Sequence, residues 1–354
     1  MTSALHVLEA THQRHAYRAL VRRKQWLLGL LFILLLGSVL LDLALGPASY
    51  SLDEVVQALL WPDSAPMQAR VIMWDIRLPV ALMAVAVGAA LSLAGAQMQT
   101  ILNNPLASPF TLGISAAASF GAALGLAFGV KVLPVMAEYV VPFNAFVMAM
   151  LAAFLIHLLS RRHGVTAETM VLFGIALVFT FNALLALTQY FASEQAVAAV
   201  VFWTMGSLTK ATWPKLAITC LVILVMLPIF VKRAWALTAL RLGEDKAASF
   251  GINVPRLRLE TLIMVSLLAA IPVAFVGTIG FVGLVGPHIA RMLIGEDQRF
   301  FLPASLLSGA LLLSLSSIVS KTLITGAIFP IGIVTSLIGV PFFIALILGK
   351  RRSW

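Results

Sequence analysis

Charged side chains are scarce in this sequence. Only 11% of its 354 residues are Asp, Glu, Lys or Arg, against about 25% in a typical soluble domain. By contrast, 61% are hydrophobic and the mean hydropathy is +1.02. A water-soluble globule of this size would not have enough polar side chains to cover its surface. The composition therefore excludes an ordinary soluble protein and points to a chain embedded in lipid.

Cysteine is almost absent, and so are common nucleotide and metal motifs. The one cysteine, Cys220, lies inside an apolar run, so no disulfide framework can form. The sequence contains no Gly-x4-Gly-Lys-Ser/Thr phosphate-binding loop and no Cys/His cluster at metal-ligand spacing. We therefore predict no cofactor, no metal site and no catalytic residues.

Long apolar runs are abundant. Continuous runs of about 18 or more residues are long enough to cross the hydrocarbon of a bilayer as helices. We predict an all-α integral membrane protein with about ten transmembrane helices in one bundle. The predicted spans are Trp26–Leu45, Leu78–Met98, Phe110–Val130, Pro142–Leu159, Met170–Tyr190, Leu216–Val231, Thr261–Ile279, Gly280–Leu293, Leu302–Ser320 and Ile328–Leu348.

The basic residues are divided unequally between the two sides of this topology. An even number of spans places both termini on one side, and eighteen of the 24 Lys and Arg residues fall there. Because cytoplasmic loops are enriched in Lys and Arg, we predict that both termini are cytoplasmic. The predicted parts are a basic cytoplasmic tail (1–25), a ten-helix membrane domain (26–349) and a cytoplasmic tail (350–354). The same distribution explains the net charge of +10 without a nucleic-acid partner.

Ionisable residues are few inside the predicted spans. They are chiefly His157 and His288, with Asp42 and Glu168 near span ends. A proton-coupled carrier generally needs a buried carboxylate relay. Many secondary transporters also contain inverted repeats, and none is evident in this sequence. A secondary transporter is therefore the less favoured hypothesis. A membrane-embedded enzyme would need a catalytic dyad or metal cluster within the spans. These absences favour transport driven by an energy source outside the chain.

The largest predicted cytoplasmic loop lies between spans six and seven and carries a short amphipathic pattern. Within residues 240–254, the polar residues that start at Glu244 are followed by apolar ones, and Gly251 is a helix-stop signal. The pattern predicts a short exposed helix with a glycine at each end. By itself it fits a docking element for a partner protein and a solvated loop equally well.

Five stretches of the chain together resemble the permease subunits of iron–siderophore, haem and vitamin B12 ABC importers, the FecCD-type (type II) importers. The stretches are Ile76–Pro79 ahead of Gly88 and Gly95, Asn104–Gly113, Gly243–Gly251, Gly280–His288 and Phe329–Phe343. They follow the order found in that family and extend over most of the chain. No single stretch would be specific, but the set is.

The resemblance implies a transport subunit that moves its cargo by ATP-driven alternating access in the bacterial cytoplasmic (inner) membrane. The implied partners are a second permease, identical or homologous, two cytoplasmic ATPase subunits, and a periplasmic or lipid-anchored substrate-binding protein. A ferric siderophore is the expected cargo, with haem and cobalamin as alternatives.

The resemblance also implies roles for individual residues. ATPase coupling maps to Gly243, Glu244, Ala247 and Gly251; binding-protein docking to Arg77 and Lys321; and the pathway with its gate to Thr166, Ala167, Glu168, Asn182 and Gln189. The alternative for Arg77 and Lys321 is that they anchor helix ends at the interface. Asn182 and Gln189 fit pathway lining and interhelical hydrogen bonding equally well. Val80, Lys321, Ser317 and Ile328 depart from the residues common in the family at the outer surface.

Overall fold

The computed structural model describes residues 2–46, 50–133, 136–163, 166–324 and 326–350, and these residues form helices and connecting turns without a strand. The helices are α1 (Thr2–Ala44), α2 (Leu52–Leu60), α3 (Met67–Val71), α4 (Leu78–Ile101), α5 (Ile114–Phe128), α6 (Ala137–His163), α7 (Ala167–Phe191), α8 (Glu194–Thr204), α9 (Trp213–Lys232), α10 (Ala234–Leu240), α11 (Glu244–Ser249), α12 (Val254–Val276), α13 (Val282–Ile294), α14 (Gln298–Thr322) and α15 (Ile331–Lys350). A π-helical segment, Ile72–Arg77, joins α3 to α4.

The predicted all-α membrane fold is confirmed. Seven helical segments of the described chain are long and apolar enough to cross a membrane: Tyr17–Ala44, Met67–Ile101, Ala137–Arg162, Ala167–Phe191, Trp213–Lys232, Val254–Val276 and Gln298–Thr322. Three apolar helices are shorter: Ile114–Phe128, Val282–Ile294 and Ile331–Ala345. Each of these segments corresponds to one of the predicted spans. The segment predicted as a basic tail is helical from Thr2 and continues into the first span, and residues 351–354 lie outside the described chain.

Two span boundaries differ from the prediction in a way that matters for function. The second membrane helix is continuous from Met67, so Arg77 lies inside it rather than at its start. The seventh begins at Val254 rather than Thr261, because the Asn253 side chain accepts a hydrogen bond from the Arg256 amide and a proline occupies the first turn. Both shifts move an arginine from a loop into the bundle.

Helix α4 lies at the centre of the bundle, and most of its side chains are buried. Small residues let neighbouring helices approach its backbone closely. A Cβ atom added at Gly95 would lie 1.8 Å from the carbonyl oxygen of Gly283 in α13, and one added at Gly88 would lie 2.3 Å from the carbonyl oxygen of Gly309 in α14. Helices α4, α13 and α14 are therefore packed backbone to backbone.

The helix bundle has two ends, and each end has its own cluster of polar residues. We call the end that contains Ile101, Arg241 and Arg258 the basic end, and the end that contains Asp42 and Lys321 the opposite end. Successive membrane helices alternate in direction along the axis between these two ends. The positive-inside distribution predicts that the basic end faces the cytoplasm.

Cysteine labelling tests this sidedness. In a Cys220→Ser background, Arg162→Cys introduces an exposed thiol near the basic end and Asp63→Cys an exposed thiol near the opposite end, whereas Ser160 is fully buried and unsuitable. We expect a membrane-impermeant maleimide to label Asp63→Cys in intact spheroplasts, and Arg162→Cys only after the membrane is opened. The reverse pattern would show that the basic end faces outward.

Candidate functional site

The short helix predicted in the large basic loop is present as α11. It lies between Gly243 (φ 111°) and Gly251 (φ 80°), two conformations that glycine adopts without a Cβ penalty. A Cβ atom added at either glycine would have no neighbour within 4 Å, so both glycines face open space. Ala247 is fully buried and fixes the inner side of the helix. The helix is thus attached by one side and free on the other.

Exposed apolar side chains flank α11. Leu242 and Phe250, on either side of the helix, are each more than half exposed, and so is Trp235 in α10. The rings of Trp235 and Phe250 lie 6.0 Å apart between centroids. Clustered exposed apolar side chains with a polar rim are typical of contact surfaces for proteins or lipid.

A buried arginine connects α11 to the bundle. Arg258 in α12 is only 2% exposed. Its Nε donates a hydrogen bond to the carbonyl oxygen of Ile101, at the C-terminal end of α4, over 2.8 Å. Its Nη2 lies 2.6 Å from Oε1 of Glu244, the first residue of α11. One guanidinium therefore contacts α4 and α11 from its position on α12.

A second arginine, Arg241, connects the segment between α10 and α11 to the same region. Its Nη1 donates to Oδ1 of Asn103 over 2.9 Å, and its guanidinium forms an ion pair with Glu296. Glu296 also lies 3.0 Å from Nε of Arg291, whose Nη2 donates to Oε1 of Gln99 over 2.9 Å. This cluster joins the turn before α11, the residues after α4 and the loop between α13 and α14.

The predicted gate residues lie at the N-terminal end of α7. The Thr166 hydroxyl accepts a hydrogen bond from the Thr169 amide over 3.1 Å, and the Thr166 amide donates to the Thr169 hydroxyl over 3.2 Å. This reciprocal capping box fixes where the helix begins. Ala167 is the first helical residue, and Glu168 is exposed in the first turn, where a carboxylate complements the helix dipole.

Asn182 and Gln189 lie on the outward side of the same helix. With Glu168 and Ile175 they recur every seven residues, which places all four along one face of α7. Ile175 and Asn182 are exposed and Gln189 is partly exposed, while the buried side chains of α7 fall on another face. No hydrogen bond from Asn182 or Gln189 to a neighbouring helix is seen in the described chain. Pathway lining by Asn182 and Gln189 stays a prediction.

Lys321 lies in a buried ion pair at the opposite end. Its Nζ is 3.0 Å from Oδ1 of Asp42, a fully buried carboxylate in the last turn of α1. The Ser317 hydroxyl donates to the other oxygen of the same carboxylate over 3.2 Å. The pair joins α1 to α14, so the charge of Lys321 has its partner inside the chain.

Arg77 is also engaged inside the chain. Its place just before the predicted second span predicts a guanidinium at the membrane surface without burial, but the residue is only 7% exposed because it sits within a continuous helix. Its Nη1 donates to the carbonyl oxygens of Leu43 and Ala44 over 2.5 and 3.1 Å, and its Cζ is 4.9 Å from the centroid of the Tyr50 ring. These contacts cap the C-terminal end of α1.

A cavity of about 470 Å³ lies where two membrane helices begin part-way through the bundle. The preceding segments, 102–113 before α5 and 277–281 before α13, are not membrane-spanning helices, and both contribute to its wall. The hydroxyl and aromatic side chains of the wall are Ser108, Phe110, Thr111, Thr204, Thr278, Phe281 and Ser336. Non-helical backbone at this depth is tolerated where it lines a cavity or is buried in protein.

Position along α4 gives the depth of this cavity. A Cβ atom added at Gly283 would lie 3.0 Å from the carbonyl oxygen of Leu91 and 3.8 Å from Cδ of Pro109, and Leu91 is midway along α4. The wall also holds Phe281 in the left-handed region (φ 66°), which is uncommon for a bulky residue. The ring fits because α15 has Gly339 beside it: a Cβ there would be 2.4 Å from the ring.

Sequence reasoning missed three of these residues. Arg258 counted only as a loop cation, although the Asn253-Val-Pro start signal would have placed it inside a helix. Asp42 was identified as ionisable, but its partner is 279 residues away and no sequence pattern joins them. Phe281 has no sequence signal, since its conformation depends on packing against another helix.

Comparison with protein families identifies the chain. The model of the FecCD transport family matches residues 33–349, which include the C-terminal part of α1 and the helices that follow it. The chain belongs to the FecCD transport family. It is the permease subunit of an ABC importer of the FecCD type, and a transport subunit rather than an enzyme.

Individual proteins are similar to this chain over nearly their whole length. An ABC transporter permease protein of Methanocaldococcus jannaschii is 39% identical over 337 residues, covering 93% of this chain and 96% of the relative. The hemin transport system permease protein HmuU of Yersinia pestis is 37% identical over 328 residues, covering 92% and 96%. Among solved structures, a metal-chelate type ABC transporter in an inward-facing conformation has a TM-score of 0.81 at 30% identity, covering 92% of this chain and 99% of that one.

Proposed function

We propose that this FecCD permease imports an iron chelate, most simply a ferric siderophore, across a bacterial cytoplasmic membrane. Two ATPase subunits dock at the basic end, a substrate-binding protein docks at the opposite end, and a second permease, identical or homologous, completes the pathway. Haem and cobalamin are the alternative cargoes. Similarity to the permease of a hemin transport system and to the solved metal-chelate type transporter supports the iron-chelate assignment.

The observation that carries the ATPase assignment is the geometry of α11. The helix presents a free side flanked by exposed Leu242 and Phe250, yet it is held to the bundle through Glu244 and Ala247. A partner that pushes on such an element moves the helices to which it is attached. Gly243 and Gly251, at its two ends, face open space. We assign the ATPase docking surface to α11 with these flanking residues.

The pathway assignment rests on the α7 face together with the mid-bundle cavity. The α7 stripe from Glu168 to Gln189 faces away from its own subunit, where a second permease would enclose it. In the described part of the chain the cavity wall is uncharged and offers hydroxyl groups such as those of Thr278 and Ser336. Such a wall provides weak contacts. Weak contacts suit a passage, because a tight site would hold its cargo.

The docking role of Arg77 and Lys321 stays a prediction. Contacts within the chain already occupy both cations. Both contribute to the rim of a second cavity, of about 350 Å³, at the opposite end. Each already has partners within the chain, so a binding protein would have to share these cations with Asp42 and the end of α1. Helix anchoring explains the observed contacts without a partner.

An uptake assay in vesicles tests the proposed function. The permease is reconstituted with its ATPase and binding-protein subunits, and the uptake of a radio-iron-labelled ferric siderophore, haemin and cobalamin is compared. We expect ferric siderophore uptake that stops when the ATPase phosphate-loop lysine is replaced and that continues in the presence of an uncoupler. Uptake that needs a proton gradient and no ATPase would show a secondary carrier, and uptake of only haemin or cobalamin would replace the cargo assignment.

A further inference from the structure

We propose that Arg258 and Arg241 are positioning residues that join the coupling helix α11 to the base of the loop 102–113, so that movement of α11 reaches the transport pathway through this loop. The inference rests on the proposed function of α11 as the ATPase docking element. The two arginines form what we call the double clamp. It acts on the residues that directly follow α4.

The first half of the clamp is the contact of Arg258 with α4 and α11. Its side chain is almost completely buried, whereas the Glu244 side chain is 55% exposed. The guanidinium reaches Ile101 and Glu244 at 2.8 and 2.6 Å. A buried guanidinium with fixed partners cannot readily exchange them for water. Displacing α11 while this pair is intact must therefore displace α12, the end of α4, or both.

The second half lies one step further along the loop. Arg241 bonds to Oδ1 of Asn103, and its side chain is only 17% exposed. Asn103 itself has φ 45°, a left-handed conformation that asparagine tolerates better than most residues. Arg258 thus contacts Ile101 and Arg241 contacts Asn103, two positions in the same turn. Arg241 lies just before α11, and Arg258 contacts Glu244, the first residue of α11.

The loop 102–113, which runs from this turn into the bundle, is a series of hydrogen-bonded turns. The amide of Leu106 donates to Oδ1 of Asn104 over 2.9 Å, which is an Asx-turn. Further along, the amides of Thr111 and Gly113 donate to the carbonyls of Ser108 and Phe110 over 3.1 and 3.2 Å. Such turns transmit displacement better than an unbonded loop.

The far end of the loop touches both parts of the proposed pathway. Ser108 and Thr111 line the mid-bundle cavity. Leu112 packs into the space left by Gly174 of α7, where an added Cβ would be 2.6 Å from its Cδ2. A Cβ atom added at Gly113 would be 3.1 Å from Cβ of Leu177. The loop therefore runs from the double clamp to the cavity wall and the inner side of α7.

The test compares Arg258→Met and Arg241→Met with Arg256→Met in the complete complex. Arg256 is the matched control, because it is two residues from Arg258 but exposed and paired with Glu260 one turn along the same helix. We expect the two clamp variants to retain bound ATPase subunits but to lower cargo moved per ATP hydrolysed by about tenfold, a usual size for coupling between distant sites. The control should keep the wild-type ratio.

A second measurement separates coupling from simple loss of stability. Hydrogen exchange of the amides in 102–113, measured on the permease in lipid nanodiscs, should rise in Arg258→Met and Arg241→Met and not in Arg256→Met. In addition, Glu244→Gln combined with Arg258→Met should be no worse than Arg258→Met alone, because both act on one contact. A purely structural role would lower the yield of complex and leave the ratio per assembled complex unchanged.

The outcomes distinguish this inference from the function on which it rests. A wild-type complex that transports, with clamp variants at the wild-type ratio and unchanged loop exchange, would overturn the double clamp and leave the ATPase assignment intact. A wild-type permease that binds no ATPase subunits and transports nothing with them would overturn the proposed function, and the inference would fall with it.

Discussion

Replacing Asp42 by alanine is expected to destabilise the folded chain by about 3–5 kcal/mol, because removal of one partner leaves the other charge buried and uncompensated. The remaining charge is that of Lys321, whose side chain is 9% exposed and 3.0 Å from the lost carboxylate. Loss of monodisperse protein on heating in detergent, compared with wild type, measures the effect. The loosened contact would lie between α1 and α14.

The double variant Asp42→Leu with Lys321→Met is the matched control. Replacing both members of a buried ion pair with apolar residues is often neutral or stabilising, so the double variant should recover most of the lost stability. A double variant that is no more stable than Asp42→Ala would show that the pair is not the cause. Asp42→Ala at wild-type stability would show that the carboxylate contributes nothing to the joint between α1 and α14.

The same double variant answers whether Lys321 docks a binding protein. It removes the cation from a folded chain, whereas Lys321→Glu would place a second carboxylate against Asp42 and damage the fold itself. If Lys321 serves docking, the affinity for the binding protein should fall in the double variant, and the wild-type affinity should fall as salt rises. Unchanged affinity would make Lys321 a helix anchor.

Replacing Asn182 by tryptophan is expected to reduce uptake by on the order of tenfold or more, because a large ring would narrow a pathway between two permeases. Asn182 lies in the middle of the outward stripe of α7 and is exposed in the single subunit. Uptake by reconstituted vesicles, with the amount of assembled complex measured in parallel, gives the effect per transporter.

Leu187→Trp provides the comparison. Leu187 is 54% exposed on the same helix, but five residues from Asn182, which places it about 140° around the helix axis. We expect this side of α7 to tolerate the ring, with uptake near wild type. Equal loss in both variants would indicate disturbed helix packing, and full uptake in Asn182→Trp would remove α7 from the pathway.

The class of protein could be predicted from the sequence because it depends on local quantities. Run length and hydropathy indicate membrane helices whatever their packing, and short motifs such as Gly243–Gly251 carry their own turn signals. The same holds for the capping box at Thr166, which needs only residues three apart. Helix ends were less well predicted where a polar residue continued a helix, as at Arg77 and Arg258.

By itself, then, the amino-acid sequence determined that the chain forms apolar helices, where most of them lie, and that a short helix with glycine at both ends precedes α12. Tertiary structure alone decided the partners of the buried charges. Asp42 finds Lys321 across 279 residues, and Arg258 finds Ile101 across 157. The physical reason is that a buried charge must be paired wherever packing places it, and close contacts such as that of Gly95 with Gly283 set that placement.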